Sequence, residues 1–322
     1  MKRKNVVLAL CLFLIGFVFA PPAGAADNFP TKPLELVVPY AAGGSTDVMC
    51  RTIVARATPF LNNQPCIVVN KTGGGTVIGS KYVLDGRNDG YTLYSTSTSS
   101  MMIAPVVNKT NFSWKDFLGI AQSMLGSDAI YVRSDAPFDT LDKFIDYAKK
   151  NPGKIKYATS GAGTSPHLSG EGLAAVKGIS IKHIPTKGDA EAVAALLGGH
   201  VMAACGNPIA YQPHAEAGKL RCLAQFGSER DKAFLPKVPT YKEQGVNVVI
   251  DLWRWIVVPK GVPTERVQFL REAFNKILHD KETLAALEKI QCPVSYIPGD
   301  GYEKVMAESE KAIMPLIKAA GL

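Results

Sequence analysis

Hydroxyls and glycines, rather than histidines or paired acids, carry the chemical signal of this sequence. The apolar run Leu34-Glu35-Leu36-Val37-Val38-Pro39-Tyr40 leads into Ala41-Ala42-Gly43-Gly44-Ser45-Thr46-Asp47. A second run, Cys66-Ile67-Val68-Val69-Asn70, leads into Lys71-Thr72-Gly73-Gly74-Gly75-Thr76-Val77-Ile78-Gly79. A buried strand that ends in glycines and reopens as a helix leaves free backbone N–H groups at the helix start, where the dipole favours negative charge. Two such junctions close together read as a cradle for a small anion. A third, Lys154 to Thr159 running into Ser160-Gly161-Ala162-Gly163-Thr164-Ser165, supplies further neutral donors. Hydroxyls of this kind hold a carboxylate without reacting with it.

The rival chemistries fit less well. Gly43-Gly44-Ser45-Thr46 lacks the lysine of a nucleotide triphosphate loop, and Ile78 stands where a dinucleotide fingerprint needs its third glycine. Ordinary tight strand-to-helix turns are the plain alternative for each loop alone. Ser165 and His167 raise a serine hydrolase, but Gly163-Thr164-Ser165-Pro166-His167 is not the GxSxG elbow, and no third member is apparent. The safer role for His167 is structural. No histidine pair has metal spacing, and no motif asks for a cofactor. Trp253-Arg254-Trp255 is the one dense aromatic–cation cluster. Arg254 there either forks onto a carboxylate or braces a strand by stacking on the tryptophans, with bracing slightly favoured.

Alternating strands and helices must position these groups. A helical stripe over Thr46 to Leu61 follows the first loop, and Asp89-Gly90 introduces a strand from Tyr91 that runs into Ser95 to Ser100. Asp139 reads as the cap of a helix stopped by Asn151-Pro152-Gly153. Strands over Ile179 to Ile184 and Val201 to Cys205 flank a helix from Asp189 to Leu197, and helices over Thr264 to Leu278 and Tyr302 to Ala319 close the chain. This alternation predicts a parallel-rich α/β architecture with ligands beyond the carboxyl ends of the strands. The glycine loops fall in two separated stretches, so they would face each other across a cleft if those stretches form different domains.

The N-terminus reads as a secretory leader: Lys2-Arg3-Lys4, an apolar stretch from Val6 to Ala20, and a small-residue site that predicts cleavage after Ala25. The apolar stretch falls short of the ~20 residues of a spanning helix, so the expected product is exported and soluble. The net charge of +8 drops by three with the leader and is spread thinly, with no basic stripe for nucleic acid. Of six cysteines, Cys11 leaves with the leader. Cys66 and Cys205 read as buried small hydrophobes, and Cys205 with Cys222 is a candidate disulfide.

Across its length the chain resembles the periplasmic solute receptors of the tripartite tricarboxylate transporters, the Bug family. The resemblance rests on Phe29-Pro30-Thr31-Lys32-Pro33, the Val-Val-Pro-Tyr strand with Gly43 to Asp47, the Gly73-to-Gly79 loop and Asp89-Gly90-Tyr91-Thr92-Leu93. It continues through Asn151-Pro152-Gly153-Lys154, Ser160 to Leu168, Leu196-Leu197-Gly198-Gly199-His200-Val201, Ala217-Gly218-Lys219-Leu220-Arg221, Val238-Pro239-Thr240, Trp253-Arg254 and Pro259-Lys260-Gly261-Val262-Pro263. It implies a type II periplasmic binding protein fold, two α/β lobes joined by two crossing strands. Lobe one would be residues 27–127 with 251–322, and lobe two 128–250.

By the same resemblance Tyr40, Gly44, Thr46, Asp47, Gly75 and Thr76 line the site, with Ser97 and Thr98 at the next strand end. Ser160, Thr164, Ser165 and Asn207 would face them from lobe two. The implied role is capture of a carboxylate (a di- or tricarboxylate or an aromatic acid) by a monomer that hands it to a membrane permease. A sensor that presents ligand to a signalling partner is the alternative on the same fold. Ala41-Ala42 departs from a family proline, and Thr186-Lys187-Gly188-Asp189 from a tyrosine and glycines. Asn207 stands where many relatives carry aspartate. Asn207 and Lys187 therefore predict a less negative pocket, suited to a dianion or larger acid rather than an amino acid.

Overall fold

The computed structural model describes residues 28–232, 235–292 and 294–322. The leader and its cleavage site lie outside the described residues. In chain order the first elements are β1 (Leu34–Val38), α1 (Ser45–Val54), β2 (Cys66–Asn70), α2 (Val77–Leu84), β3 (Thr92–Ser97) and β4 (Phe117–Ser127). Next come β5 (Ala129–Arg133), α3 (Leu141–Lys150), β6 (Lys156–Thr159), α4 (Ser165–Lys177), β7 (Lys182–Pro185), α5 (Asp189–Leu197), β8 (Ala203–Gly206), α6 (Pro208–Glu216) and β9 (Leu220–Gln225). The chain ends with β10 (Asp251–Pro259), α7 (Thr264–His279), α8 (Lys281–Lys289), β11 (Ile297–Pro298) and α9 (Tyr302–Ala319).

These strands form two sheets, ordered β11-β4-β10-β3-β1-β2 and β7-β6-β8-β5-β9. The parallel pairs β1 with β2 and β3, and β6 with β7 and β8, are the units whose crossovers are helical, as a parallel connection requires. The remaining pairs are antiparallel: β10 with β3 and β4, β11 with β4, and β5 with β8 and β9. The two sheets are therefore mixed, more so than an alternating pattern predicts. The chain leaves the first sheet from β4 into β5 and returns from Ile250 into β10, so two adjacent passages join two α/β lobes.

Local boundaries follow turn and cap chemistry. The helix expected to reach Leu61 stops at Val54, and a tight 3-10 turn over Thr58–Phe60 follows, with Pro59 in its first turn, where the missing N–H costs nothing. Thr140, not Asp139, caps α3 by accepting the Lys143 N–H at 3.3 Å. Asp139 instead pairs with the Lys143 ammonium at 2.8 Å. The strand expected from Ile179 begins at Lys182.

Cys50, Cys66, Cys205, Cys222 and Cys292 are all free. The candidate Cys205–Cys222 disulfide is excluded by the sheet order: β5 lies between β8 and β9, with Ile130 beside Cys205 and Tyr131 beside Cys222. Two strand spacings put their backbones about 9–10 Å apart, beyond disulfide reach.

Candidate functional site

The site lies where the C-terminal ends of the strands of both sheets meet. On the first lobe, α1 opens at Gly44 with no side-chain cap, so its leading N–H groups are left for another partner. Asp47 fixes that opening from behind. Its carboxylate accepts the Gly43 N–H at 2.9 Å, pairs with Arg51 one turn on, and takes the Asn70 amide at 2.9 Å at the end of β2. Gly44, Ser45 and Thr46 thereby face a cavity shared with Tyr40 and Ser97, whose hydroxyls lie 3.2 Å apart.

Strand alternation decides the Trp253-Arg254-Trp255 cluster. Trp255 packs edge-on against Tyr302 at the start of α9, and the Trp253 indole donates to Ser309 in the same helix at 2.8 Å. Arg254 therefore points to the opposite face, into the cavity, where only 3 % of it is exposed. It donates to Ser45 Oγ at 3.2 Å and contacts Met124 Sδ at 3.4 Å, while its Nε has no partner. The stacking role that the sequence favoured is thus replaced by a buried cation with spare donor capacity.

The second lobe contributes hydroxyls and two carboxylates. Asp128, at the crossing between β4 and β5, accepts the Ser165 hydroxyl at 2.6 Å. Ser165 opens α4, and its backbone N–H donates across the cleft to Ser99 Oγ at 2.9 Å. Asp189 opens α5, and one carboxylate oxygen accepts the Ser45 hydroxyl of the other lobe while Oδ1 has no partner. The Ala41 N–H donates to the Lys187 carbonyl at 3.0 Å, a backbone bond that also spans the cleft. With the lobes held this closely the cavity is about 20 Å³, room for one or two water molecules. An organic molecule is too large for this cavity unless the lobes stand further apart.

Burial sets the electrostatics. It lifts the Asp128 carboxyl above its ordinary range, against the Ser165 hydroxyl and Arg254, which pull it down. The Asp189 carboxyl is pushed up to about 6, first by burial and then by the charge of Asp128. Burial also raises the Tyr40 hydroxyl. The cavity can therefore bind an anionic group through Arg254, hydroxyls and helix N-termini, and a cationic or donor group through its two acids. Ser165 and His167 do not pair. The serine bonds Asp128, and His167 Nδ1 accepts the Gly163 N–H at 3.1 Å while its ring stacks on His183, so the serine–histidine pair of a hydrolase is not formed.

The family model described as tripartite tricarboxylate transporter family receptor matches residues 50–322. The chain belongs to this receptor family. A relative from Cupriavidus necator, the UPF0065 protein in the gbd 5' region, is 36% identical over the whole of this chain and 99% of its own. A solved structure described as a periplasmic transporter superposes with TM-score 0.83 at 31% identity, covering 90% of this chain and 97% of that one. Rpa4515 of R. palustris, solved with adipate, superposes with TM-score 0.82 at 26% identity, covering 91% and 98%. The fold is thus that of the periplasmic binding proteins, and the family is one of receptors rather than enzymes. Among the described residues no helix is long and apolar enough to cross a membrane.

Of the residues expected to line the receptor's site, Tyr40, Gly44, Thr46, Ser97, Ser160 and Ser165 meet at the cavity. The others stand behind it. Asp47 is consumed by Gly43, Arg51 and Asn70. Thr98 ties Asp251 and Trp253 of β10, and the Thr164 hydroxyl closes its own loop onto the Gly161 carbonyl. Asn207 caps α6 through the Ile209 N–H, and Gly75 abuts the backbone of Ala162 with the buried Thr76 beside it.

Sequence reasoning missed Ser45, Ser99, Asp128 and Asp189 in the cavity wall. Asp189 was visible as a helix start and in the departure at Thr186 to Asp189, not as a wall residue, and Asp128 belongs to no motif. The expectation of a less negative pocket is corrected by these two acids. Lys187, expected with Asn207 to make the pocket less negative than one with aspartate at 207, is exposed.

Proposed function

We propose that this chain is an exported receptor that captures a small organic carboxylate outside the cytoplasm and delivers it to a tripartite tricarboxylate-type membrane permease. In this reading the leader is removed after Ala25, and the mature monomer closes residues 27–127 with 251–322 against residues 128–250. One observation carries the reading. The fully enclosed Arg254 guanidinium, the uncapped start of α1 and hydroxyls from both lobes converge on a single closed cavity. A buried cation with an unpartnered N–H is costly unless an anion completes it, and a carboxylate matches its planar donors. The adipate in Rpa4515, a protein of the same fold, supports a carboxylate as the class of ligand.

The test is thermal denaturation of the purified protein with mono-, di- and tricarboxylates, aromatic acids and amino acids. A true ligand at 100 times its dissociation constant adds about 2.7 kcal/mol, a rise of several degrees. Arg254→Ala should abolish the rise. Failure of every carboxylate to raise the melting temperature would overturn the reading.

A further inference from the structure

The crossing strands have two faces, and the closed cavity takes only one of them. Arg254 points to that side, while Asp251 and Trp253 take the other. Leu125 of β4 lies opposite Trp253 in the β4–β10 pair. With Thr98 at the end of β3, these residues floor a second groove of about 490 Å³ that shares no residue with the cavity. Its walls come from both lobes. On one side α9 contributes Val305, Ser309, Ala312 and Leu316. On the other stand Asn247 and Val249, in a segment tied to the second lobe. There the Ile250 N–H donates to the Phe226 carbonyl at 2.8 Å, and Val248 lies against Gly172 of α4.

The groove is apolar with an acidic rim. Leu125 keeps half of its surface exposed there. Asp251 and Glu308 also line the groove, and among the described residues no lysine or arginine joins them. Asp251 Oδ1 accepts the Ser228 N–H at 2.8 Å and its hydroxyl at 2.9 Å. Among the described residues no ion pair reaches either carboxylate. Lys304 and Lys311, one turn either side of Glu308 on α9, pair with neither acid. A groove of this size suits a small organic molecule, and its chemistry narrows the class. An apolar body would displace water from Leu125, Trp253 and Leu316. A carboxylate would be repelled by the two acids, and a neutral molecule would leave them without a cation. An ammonium head answers both while staying in reach of water at the rim.

We infer that this groove is a second binding site, for a hydrophobic amine whose chain lies along Leu125, Trp253 and α9 and whose ammonium faces Asp251 and Glu308. Because the walls belong to both lobes, the occupant holds the lobes in the arrangement seen here.

The experiment titrates the purified protein at pH 7.5 with three probes of equal chain length: octylammonium, 1-octanol and octanoate. Binding is read by isothermal titration and by tryptophan fluorescence. Ala312→Phe, at an exposed position lining the groove, fills it, and binding that this variant removes is assigned to the groove rather than to the cavity. Octylammonium should bind there at least about threefold tighter than octanol, the weight of two exposed charge pairs, and octanoate should bind weakest. Ala312→Phe should weaken octylammonium about tenfold or more. Leu125→Lys, a second variant at an exposed position, places a cation at the rim and should erase the preference for the ammonium. Octanoate held in the groove as tightly as octylammonium would overturn the ligand class. Octylammonium binding that neither variant changes would overturn the site, and no detectable octylammonium binding would overturn the inference outright.

Discussion

Closure of the lobes depends on Gly75 having no side chain. Gly73, Gly74 and Gly75 all carry positive φ, and Gly75 at +58° lies against the second lobe. A Cβ there would sit 1.8 Å from the Ala162 carbonyl oxygen and 3.0 Å from its carbon. Both partners are backbone, so no rotamer change relieves the clash. The loops must part by about 1.2 Å merely to restore a contact of 3.0 Å, below which real Cβ atoms are essentially never found.

Gly75→Ala carries two costs that can be separated. The left-handed backbone costs an alanine roughly 1–2 kcal/mol, and that cost is present whether the lobes are open or closed. The clash with Ala162 exists only on closure and belongs with overpacking, about 1–3 kcal/mol. On the proposal that ligand is held with these two loops in contact, the clash weakens apparent affinity by roughly 5- to 150-fold.

Gly178→Ala is the control. That glycine has φ +61° at the end of α4 with nothing within 4 Å of its would-be Cβ, so it incurs the backbone cost alone. Isothermal titration with the tightest carboxylate of the panel, alongside melting curves without ligand, reads both effects. Gly75→Ala should lose affinity, Gly178→Ala should keep it, and both should melt a few degrees early. Wild-type affinity in Gly75→Ala would refute the closed contact as a requirement for binding.

Three further outcomes follow from buried ionisable groups. The Asp189 carboxyl is raised to about 6 by burial and the nearby Asp128, so the folded chain holds its proton more tightly than the unfolded chain. Its destabilising effect, on the order of 2–3 kcal/mol, is complete above pH 6 and fades towards pH 4, so Asp189→Asn should melt higher than wild type at pH 7.5, with the gap shrinking to about 1 kcal/mol by pH 4.5. Burial and the adjacent His167 hold His183 at about 3, so stability should fall as pH drops below 6.5, and His183→Gln should flatten that acid limb in melting curves. Asp47→Ala strips partners from Gly43, Arg51 and Asn70 and should cost roughly 1–3 kcal/mol by urea denaturation, marking it as a support of α1.

What the sequence made legible was backbone. Glycine clusters after apolar runs located the starts of α1, α2 and α4, because only a few residue types permit those turns. Side-chain direction was much less visible. Asp47 and Thr98 sit in the same short motifs as Gly44 and Ser97, yet their side chains turn to Arg51 and to β10 rather than to the cavity. Asp128 and Asp189 are separated by sixty residues and share a cavity only because β5 and α5 begin at the same edge of the second lobe. No local pattern encodes that meeting. The sequence did place Arg254 between two tryptophans, and strand alternation alone could have sent it to the opposite face from them.

The position of Arg254 links recognition to movement. It lies on β10, which pairs with β4, and these two strands carry both passages between the lobes. The pairing shifts register between Arg254 and Trp255, the kind of irregularity that re-aims a side chain next to a site. From there a hydrogen-bonded line runs from Arg254 to Ser45 on α1 and from Ser45 to Asp189 on the other lobe. In the proposed open form, Arg254 on one side and Asp189 on the other would be hydrated separately. Bringing them together removes that water while leaving Asp189 Oδ1 and Arg254 Nε without partners, so closure alone bears a desolvation cost. A ligand that completes those groups offsets the cost only in the closed form, and such differential binding is what a ligand needs to shift an open–closed equilibrium. The unpartnered charges that look like a flaw in the packing thus make closure answer to the ligand.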